Sequence, residues 1–381
     1  VIYFDNSATT KPYPEALDTF LKVAQNYYAN PSSIHRLGSQ SEELLKRSRQ
    51  QAANLLQVSD KEIIFTSGGS EGNNLAIKGI ANYFKDRGKH IITTEIEHAS
   101  SYLACKQLEK EGYEVTYLPV DSEGKISFEQ LKQSLRKDTI LVTLIHVNNE
   151  VGSIQPISEV ADLLKDKPTT LLHVDHVQGV GKVPLDLSQG KIDLCTISGH
   201  KFHGPKGTGL LYIRHGVNLS PLFAGGSQEQ GRRAGTENLP GITAMVKALR
   251  MTLEFKKTHF SELKRHKEKL IQGLSTIEGI TIHTPKNGSA PHIINISIKG
   301  LKAEVLVHAL EEKEVYVSTK SACSSKDQQA SRILLAMGVS DSDAKQAIRL
   351  SLSYQTTAEE VDQFLKILKT QVADLRQVMR S

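Results

Sequence analysis

The chain has 381 residues, 39% of them hydrophobic and 23% charged, the composition of a globular protein long enough for two domains. Its 47 basic and 42 acidic residues leave a net charge of +5 with both signs interspersed, so no basic patch marks a nucleic-acid surface and no direct nucleic-acid partner is expected. No apolar run reaches the roughly 18 residues of a membrane span, the opening VIYFDNSATT lacks the basic and apolar regions of a signal peptide, and three scattered cysteines fit a reducing cytoplasm.

Strand-like runs alternate with helical patterns along the first two thirds. EIIFTS (Glu62–Ser67) leads through GGS into EGNNLAIKGIANYF, and HIITTE (His90–Glu95) leads into HASSYLACKQLEK. YEVTYLPV (Tyr113–Val120) precedes FEQLKQSLR, where Ser127 and Gln130 have capping-box spacing. ILVTLIHV (Ile140–Val147) precedes SEVADLLKD, and TLLHVDHV, DLCTIS and GTGLLYIR follow, the last of these spaced closely enough to run antiparallel. Apolar strands between amphipathic helices predict an α/β fold with a mostly parallel sheet covered on both faces.

From Pro240 to about Ile277 the pattern is one long connecting helix. HIINISIKG, AEVLVHALEEK and VYVSTKSAC come next, then a closing helix. Thr357 and Glu360 cap it, and Val361, Phe364, Leu365, Leu368, Val372 and Leu375 form its apolar stripe. The expected division is residues 1–20 packing with a small α+β domain, 21–255 as the large domain, and 256–381 as the small domain.

Ligands of open α/β sheets bind beyond the carboxyl ends of the strands. Ser67–Ser70, His98, Asn148 and Asn149, Asp175 and Lys201 all stand at such ends. Lys201, framed in ISGHKFHGPKG, is either a solvated surface charge, as most lysines are, or a Schiff-base nucleophile if desolvation or nearby cations lower its pKa. Pyridoxal phosphate requires a lysine, a carboxylate for its pyridine nitrogen and donors around its phosphate. Lys201, Asp175 (26 residues earlier) and the SGGSEG turn with Ser198 and His200 offer all three. Taken singly, each feature has a plainer reading: SGGSEG as an ordinary βα loop, Asp175 as a strand-end cap, His98 as a capping histidine rather than a ring lying flat on a pyridine.

Cys105 and Cys195 read as small core residues. Cys323, in the polar stretch STKSACSSKDQQ beside Lys320 and Lys326, reads as an idle loop cysteine or as a thiolate nucleophile in electropositive surroundings. No CxxC or HExxH spacing occurs, so no metal is expected.

YFDNSATT, NPSSIHRLG, FTSGGSEGNN, EIEHAS, HVNNEVG, HVDHVQ, SGHKFHGPKG, GRRAGTEN and SACSS, in this order, make the chain resemble the NifS/IscS-type cysteine desulfurases, in the aminotransferase class V group of fold-type I pyridoxal phosphate enzymes. The resemblance implies a large domain with a mostly parallel seven-stranded sheet plus a smaller α+β domain. It implies conversion of L-cysteine to L-alanine, with the sulfur held as a persulfide on Cys323. A sulfur acceptor would then receive it: an iron–sulfur scaffold, a tRNA-thiolation enzyme or a small carrier. A selenocysteine lyase or an aminotransferase of the same fold is the alternative.

The same resemblance gives each residue a role. Lys201 bears the cofactor and serves as catalytic base; Asp175 pairs with its ring nitrogen; Gln178 and Asn149 hydrogen-bond its hydroxyl side; His98 stacks on the ring and acts as an acid/base. Gly69, Ser70, Ser198 and His200 hold the phosphate, Thr236 completes that site from the other subunit of a homodimer, and Arg349 clamps the substrate carboxylate beside Asn149. The chain departs from the family pattern at four places. Lys320 replaces a glycine, Ser70 a threonine, His176 an alanine that would face away from Asp175, and SLSY stands where SLGR is frequent.

Overall fold

The computed structural model describes residues 1–189, 191–319 and 330–378. In chain order its strands are β1 (Ile2–Tyr3), β2 (Ile63–Thr66), β3 (His90–Thr94), β4 (Glu114–Leu118), β5 (Thr139–Ile145), β6 (Leu171–Asp175), β7 (Leu194–Ser198), β8 (Gly209–Ile213), β9 (Ile280–Ile282), β10 (Ile293–Ile298), β11 (Val315–Tyr316) and β12 (Ala347–Ser351). Strands β2 to β8 form one seven-stranded sheet in the order β2-β8-β7-β6-β5-β3-β4. It is parallel except at β8, which runs antiparallel to both β2 and β7, as the close spacing of GTGLLYIR suggests.

The pleat assigns alternate residues of each strand to opposite faces. Phe65, Ile92, Val142, Leu172 and Cys195 enter one apolar core, while Ile64, Ile91, Leu141, Leu171 and Leu194 enter another. Because both faces are covered, TILVTLI of β5 is buried throughout and shows no polar alternation. Two neutral histidines stitch strands together. His90 lies between Thr139 (2.8 Å) and Thr116 (2.9 Å), and His173 between Thr143 (2.8 Å) and Thr196 (2.9 Å). Burial drives the His173 imidazole down to about 3, so it acts as a polar staple and not as a charge.

A second core gathers β1, β10, β12 and the closing helix. There β1 pairs with β11, Phe4 packs on Phe364, and Val361, Phe364, Leu368 and Val372 are buried while Leu365 and Leu375 are half-buried against them. Thr357 and Glu360 exchange two hydrogen bonds at the start of this helix, a complete capping box. At Ser127 only half of that device forms, Gln130 N donating to the serine hydroxyl.

The helix Leu239–Ser275 runs unbroken from the first core to the second. Residues 4–10 make the reverse connection. They leave β1, pair with Ser351 and then enter the crevice at the carboxyl ends of the parallel strands.

Candidate active site

A cavity of about 680 Å³, open mouth included, lies at those strand ends. Gly69, Ser70, His98, Asn149, Asp175, Gln178, Ser198, His200, Lys201 and Arg349 line it, so the structure brings together nearly every residue the sequence singled out. Thr236 is not among them. In its own chain it lines a separate small cavity with Phe65, Ser67 and Glu229. Cys323, Lys320 and Lys326 lie outside the described residues.

Lys201 ends a single 3-10 turn, Gly199–Lys201, that follows β7. Its Nζ donates to Ser7 O (2.6 Å) and Ala8 O (2.7 Å), backbone acceptors that direct the amine into the cavity. Asp175 ends β6 with 3% exposure. Its Oδ1 accepts from Val177 N (3.0 Å), the strand-end cap, and its Oδ2 accepts from Asn73 Nδ2 (2.7 Å). The capping reading is therefore correct for one oxygen only.

His98 caps the helix Ala99–Lys110: its Nδ1 accepts from Ser100 N at 3.2 Å and lies 2.8 Å from Ser100 Oγ. Because Nδ1 accepts a backbone N–H, the ring proton sits on Nε2. Burial favours this neutral form, the Asp175 charge opposes it, and the net shift is downward. Asn73 donates its second amide hydrogen to Ser100 Oγ (2.9 Å), which joins Asp175, Asn73, Ser100 and His98 in one chain of hydrogen bonds.

The helix Gly69–Tyr83 starts behind Gly68 with no side-chain cap, so its first N–H groups face the cavity as an anion cradle. A Cβ on Gly69 would come within 3.0 Å of Val177 Cγ2 and 3.5 Å of Ser198 Cβ, so only glycine leaves that approach clear. The Ser198 hydroxyl, buried in the same cradle, has no hydrogen-bond partner among the described residues. His200 sits beside it with Nδ1 3.1 Å from Thr9 Oγ1, and burial together with Lys201 holds its ring down at about 3.

Arg349, in β12, is 1% exposed. Nη2 pairs with Asp5 Oδ1 and Nη1 with Asn149 O, both at 2.9 Å, while Nε has no partner among the described residues. The side-chain oxygen of Asn149 is likewise buried and unpartnered. A buried guanidinium on a residue that lines the cavity is suited to a carboxylate.

The aminotransferase class-V family matches residues 2–364 of this chain. The chain belongs to the class-V aminotransferase family. A NifS/IcsS protein homolog of Lactobacillus delbrueckii subsp. bulgaricus is 47% identical over 96% of this chain and 95% of its own. Cysteine desulfurase IscS of Methanosarcina thermophila is 42% identical over 98% of this chain and 93% of its own. A solved NifS-like protein superposes with a TM-score of 0.92 at 38% identity, over 98% of this chain and 99% of that one.

In this class-V chain several residues that hold the site carry no signal of their own in the sequence. Asn73 was visible only as part of FTSGGSEGNN, and Asp5 only as part of YFDNSATT. His176 faces away from the cavity, as strand alternation predicts, and packs on His146 with Nδ1 atoms 2.8 Å apart. Tyr354, in the divergent SLSY, is buried and donates to Gly181 O at 2.5 Å. No helix among the described residues is long and apolar enough to cross a membrane.

Proposed function

We propose that this protein is a cytoplasmic, pyridoxal phosphate-dependent cysteine desulfurase, working as a homodimer in which Thr236 serves the partner's phosphate site. The observation that carries the reading is the shared cavity of Lys201, Asp175, the uncapped helix start at Gly69 and the buried fork of Arg349. These residues fit the cofactor. The orphaned Ser198 hydroxyl and the Gly69 cradle suit a phosphate, with Ser70 and His200 beside them, and Asp175 suits a protonated pyridine nitrogen. Asn149 and Gln178 would hydrogen-bond the ring hydroxyl, and His98 would stack on the pyridine.

The cofactor supplies an aldehyde for the substrate nitrogen and a ring that takes up the electrons of a bond broken at Cα. The chain does the rest. Arg349 binds the carboxylate of L-cysteine, Lys201 takes and returns the Cα proton, and His98, neutral with its proton on Nε2, supplies a further proton donor. The Cys323 thiolate attacks the substrate sulfur. The S–S bond forms as the Cβ–S bond breaks, its electron pair stays with the carbon skeleton, and two protons complete L-alanine. L-cysteine and the enzyme thiol thus become L-alanine and an enzyme persulfide, with no outside oxidant.

Described residues on both sides of the Cys323 segment bond to a cavity-lining residue or to the neighbour of one. Ser318 pairs through its backbone with Arg349, and the Ser331 hydroxyl donates to Glu150, the neighbour of Asn149. Cys323 is four residues beyond Thr319, a reach of up to about 14 Å. The persulfide then passes to an acceptor protein, either an iron–sulfur scaffold, a tRNA-thiolation enzyme or a small carrier.

Purified protein given L-cysteine and a thiol reductant should release alanine and sulfide in equal amounts without a keto acid. Alanine that appears only when a keto acid is added would mark an aminotransferase instead.

A further inference from the structure

Three successive carbonyls in the turn that bears Lys201 each accept a side-chain hydrogen bond. Thr10 Oγ1 donates to His200 O (2.9 Å), Lys182 Nζ to Lys201 O (3.1 Å) and Thr252 Oγ1 to Phe202 O (3.0 Å). The donors come from the N-terminal segment, from the turn after β6 and from the long helix. Two are hydroxyls, which hold a carbonyl with little desolvation penalty. The third is an ammonium group on a residue 5% exposed.

Burying an ammonium without a counter-ion is costly. No carboxylate forms an ion pair with Lys182 among the described residues, and burial alone lowers it to about 8. Its titratable neighbours are the imidazoles of His176, His203 and His292. Burial is the main cause holding each of them neutral, and the field of Lys182 adds to it. The turn that presents Lys182 is itself braced. Tyr354 donates to Gly181 O, and Gly181, at φ +68°, sits where a Cβ would come 2.5 Å from Thr252 Cγ2. The fold therefore tolerates an unfavourable buried group and uses further contacts to aim it at the backbone of Lys201.

We propose that Lys182 is a positioning residue for Lys201: its ammonium pins the Lys201 carbonyl and so fixes the turn from which the Lys201 amine enters the cavity. The inference rests on the reading of Lys201 as the cofactor-bearing lysine.

The test uses cofactor-free full-length protein incubated with pyridoxal phosphate and reduced with borohydride at intervals, the label on Lys201 being quantified by peptide mass. Lys182→Met keeps the length and removes the donor. We expect it to melt at or above the wild-type temperature and to label Lys201 about tenfold more slowly, with kcat about tenfold lower and KM for L-cysteine unchanged. Lys182→Gln, a neutral donor, should recover part of both rates. Wild-type labelling and kcat in Lys182→Met overturn the proposal. So does failure of both variants to fold, or an equal loss in both with a lowered melting temperature, since either marks a purely structural role. Absence of label on Lys201 in the wild type contradicts the site reading itself, whereas wild-type label with no difference in Lys182→Met contradicts this inference alone.

Discussion

Asn73 donates to the Asp175 carboxylate at 2.7 Å across 102 residues of sequence, and the same amide nitrogen holds Ser100 at 2.9 Å. The acid at the end of β6 is thus oriented by the helix that also opens the anion cradle. Asn73→Ala removes a buried partner from a carboxylate and loosens the His98 cap at once. Turnover of L-cysteine should fall by about ten- to a hundredfold, since losing a hydrogen bond to a buried charged group costs about 1.5–3 kcal/mol. Steady-state alanine formation, with cofactor content measured alongside, checks this.

Ser198→Ala should separate stability from binding. Its hydroxyl is buried without a partner among the described residues, so cofactor-free protein should lose nothing or gain slightly in melting temperature. Affinity for pyridoxal phosphate should fall by about tenfold, one hydrogen bond to a charged group. Titration of the cofactor-free variant, read by visible absorbance, gives the second number, and calorimetry gives the first.

Arg349→Lys should raise KM for L-cysteine by about ten- to a hundredfold with a smaller effect on kcat. An ammonium cannot keep the pairs with Asp5 and Asn149 O and also fork a carboxylate. Kinetics over a wide substrate range, with KM and kcat fitted separately, decide it.

The sheet was legible in the sequence because all its strands but β4 are buried on both faces and read as apolar runs. The catalytic constellation was legible because the fold collects strand ends. Asp175, His98 and Lys201 each follow such a run directly, and no long-range geometry is needed to place them together. What holds them was not legible. Asp5 meets Arg349 across 344 residues, Gln178 meets Ser7 O across 171, and Lys182 meets Lys201 through a turn whose shape depends on Tyr354. Such contacts are products of the whole fold and leave no local pattern. Arg349 was legible as a carboxylate clamp only through the family pattern, because nothing around it in the sequence shows that Asp5 and Asn149 cover it.

Stability should fall as pH drops below about 6.5. Burial holds His173 at about 3 and His146 and His203 at about 4, all below the unfolded value. The unfolded chain therefore binds protons that the folded chain refuses, and stability is lost progressively from about pH 6.5 toward pH 4. Urea midpoints of cofactor-free protein across that range should show it, and His173→Gln should flatten the slope by about one proton.

The central claim is that sulfur leaves L-cysteine for Cys323, and one single-turnover experiment tests it most directly. Enzyme is mixed with one equivalent of L-cysteine, persulfides are trapped by alkylation, and peptides are mapped by mass, for the wild type and for Cys323→Ser. The account predicts a persulfide on Cys323 with one alanine per site in the wild type. Cys323→Ser should bind cofactor and substrate with a normal spectral response but yield neither persulfide nor alanine. A persulfide on Cys105 or Cys195, both fully buried with thiols that burial raises, or undiminished alanine from Cys323→Ser, would contradict it.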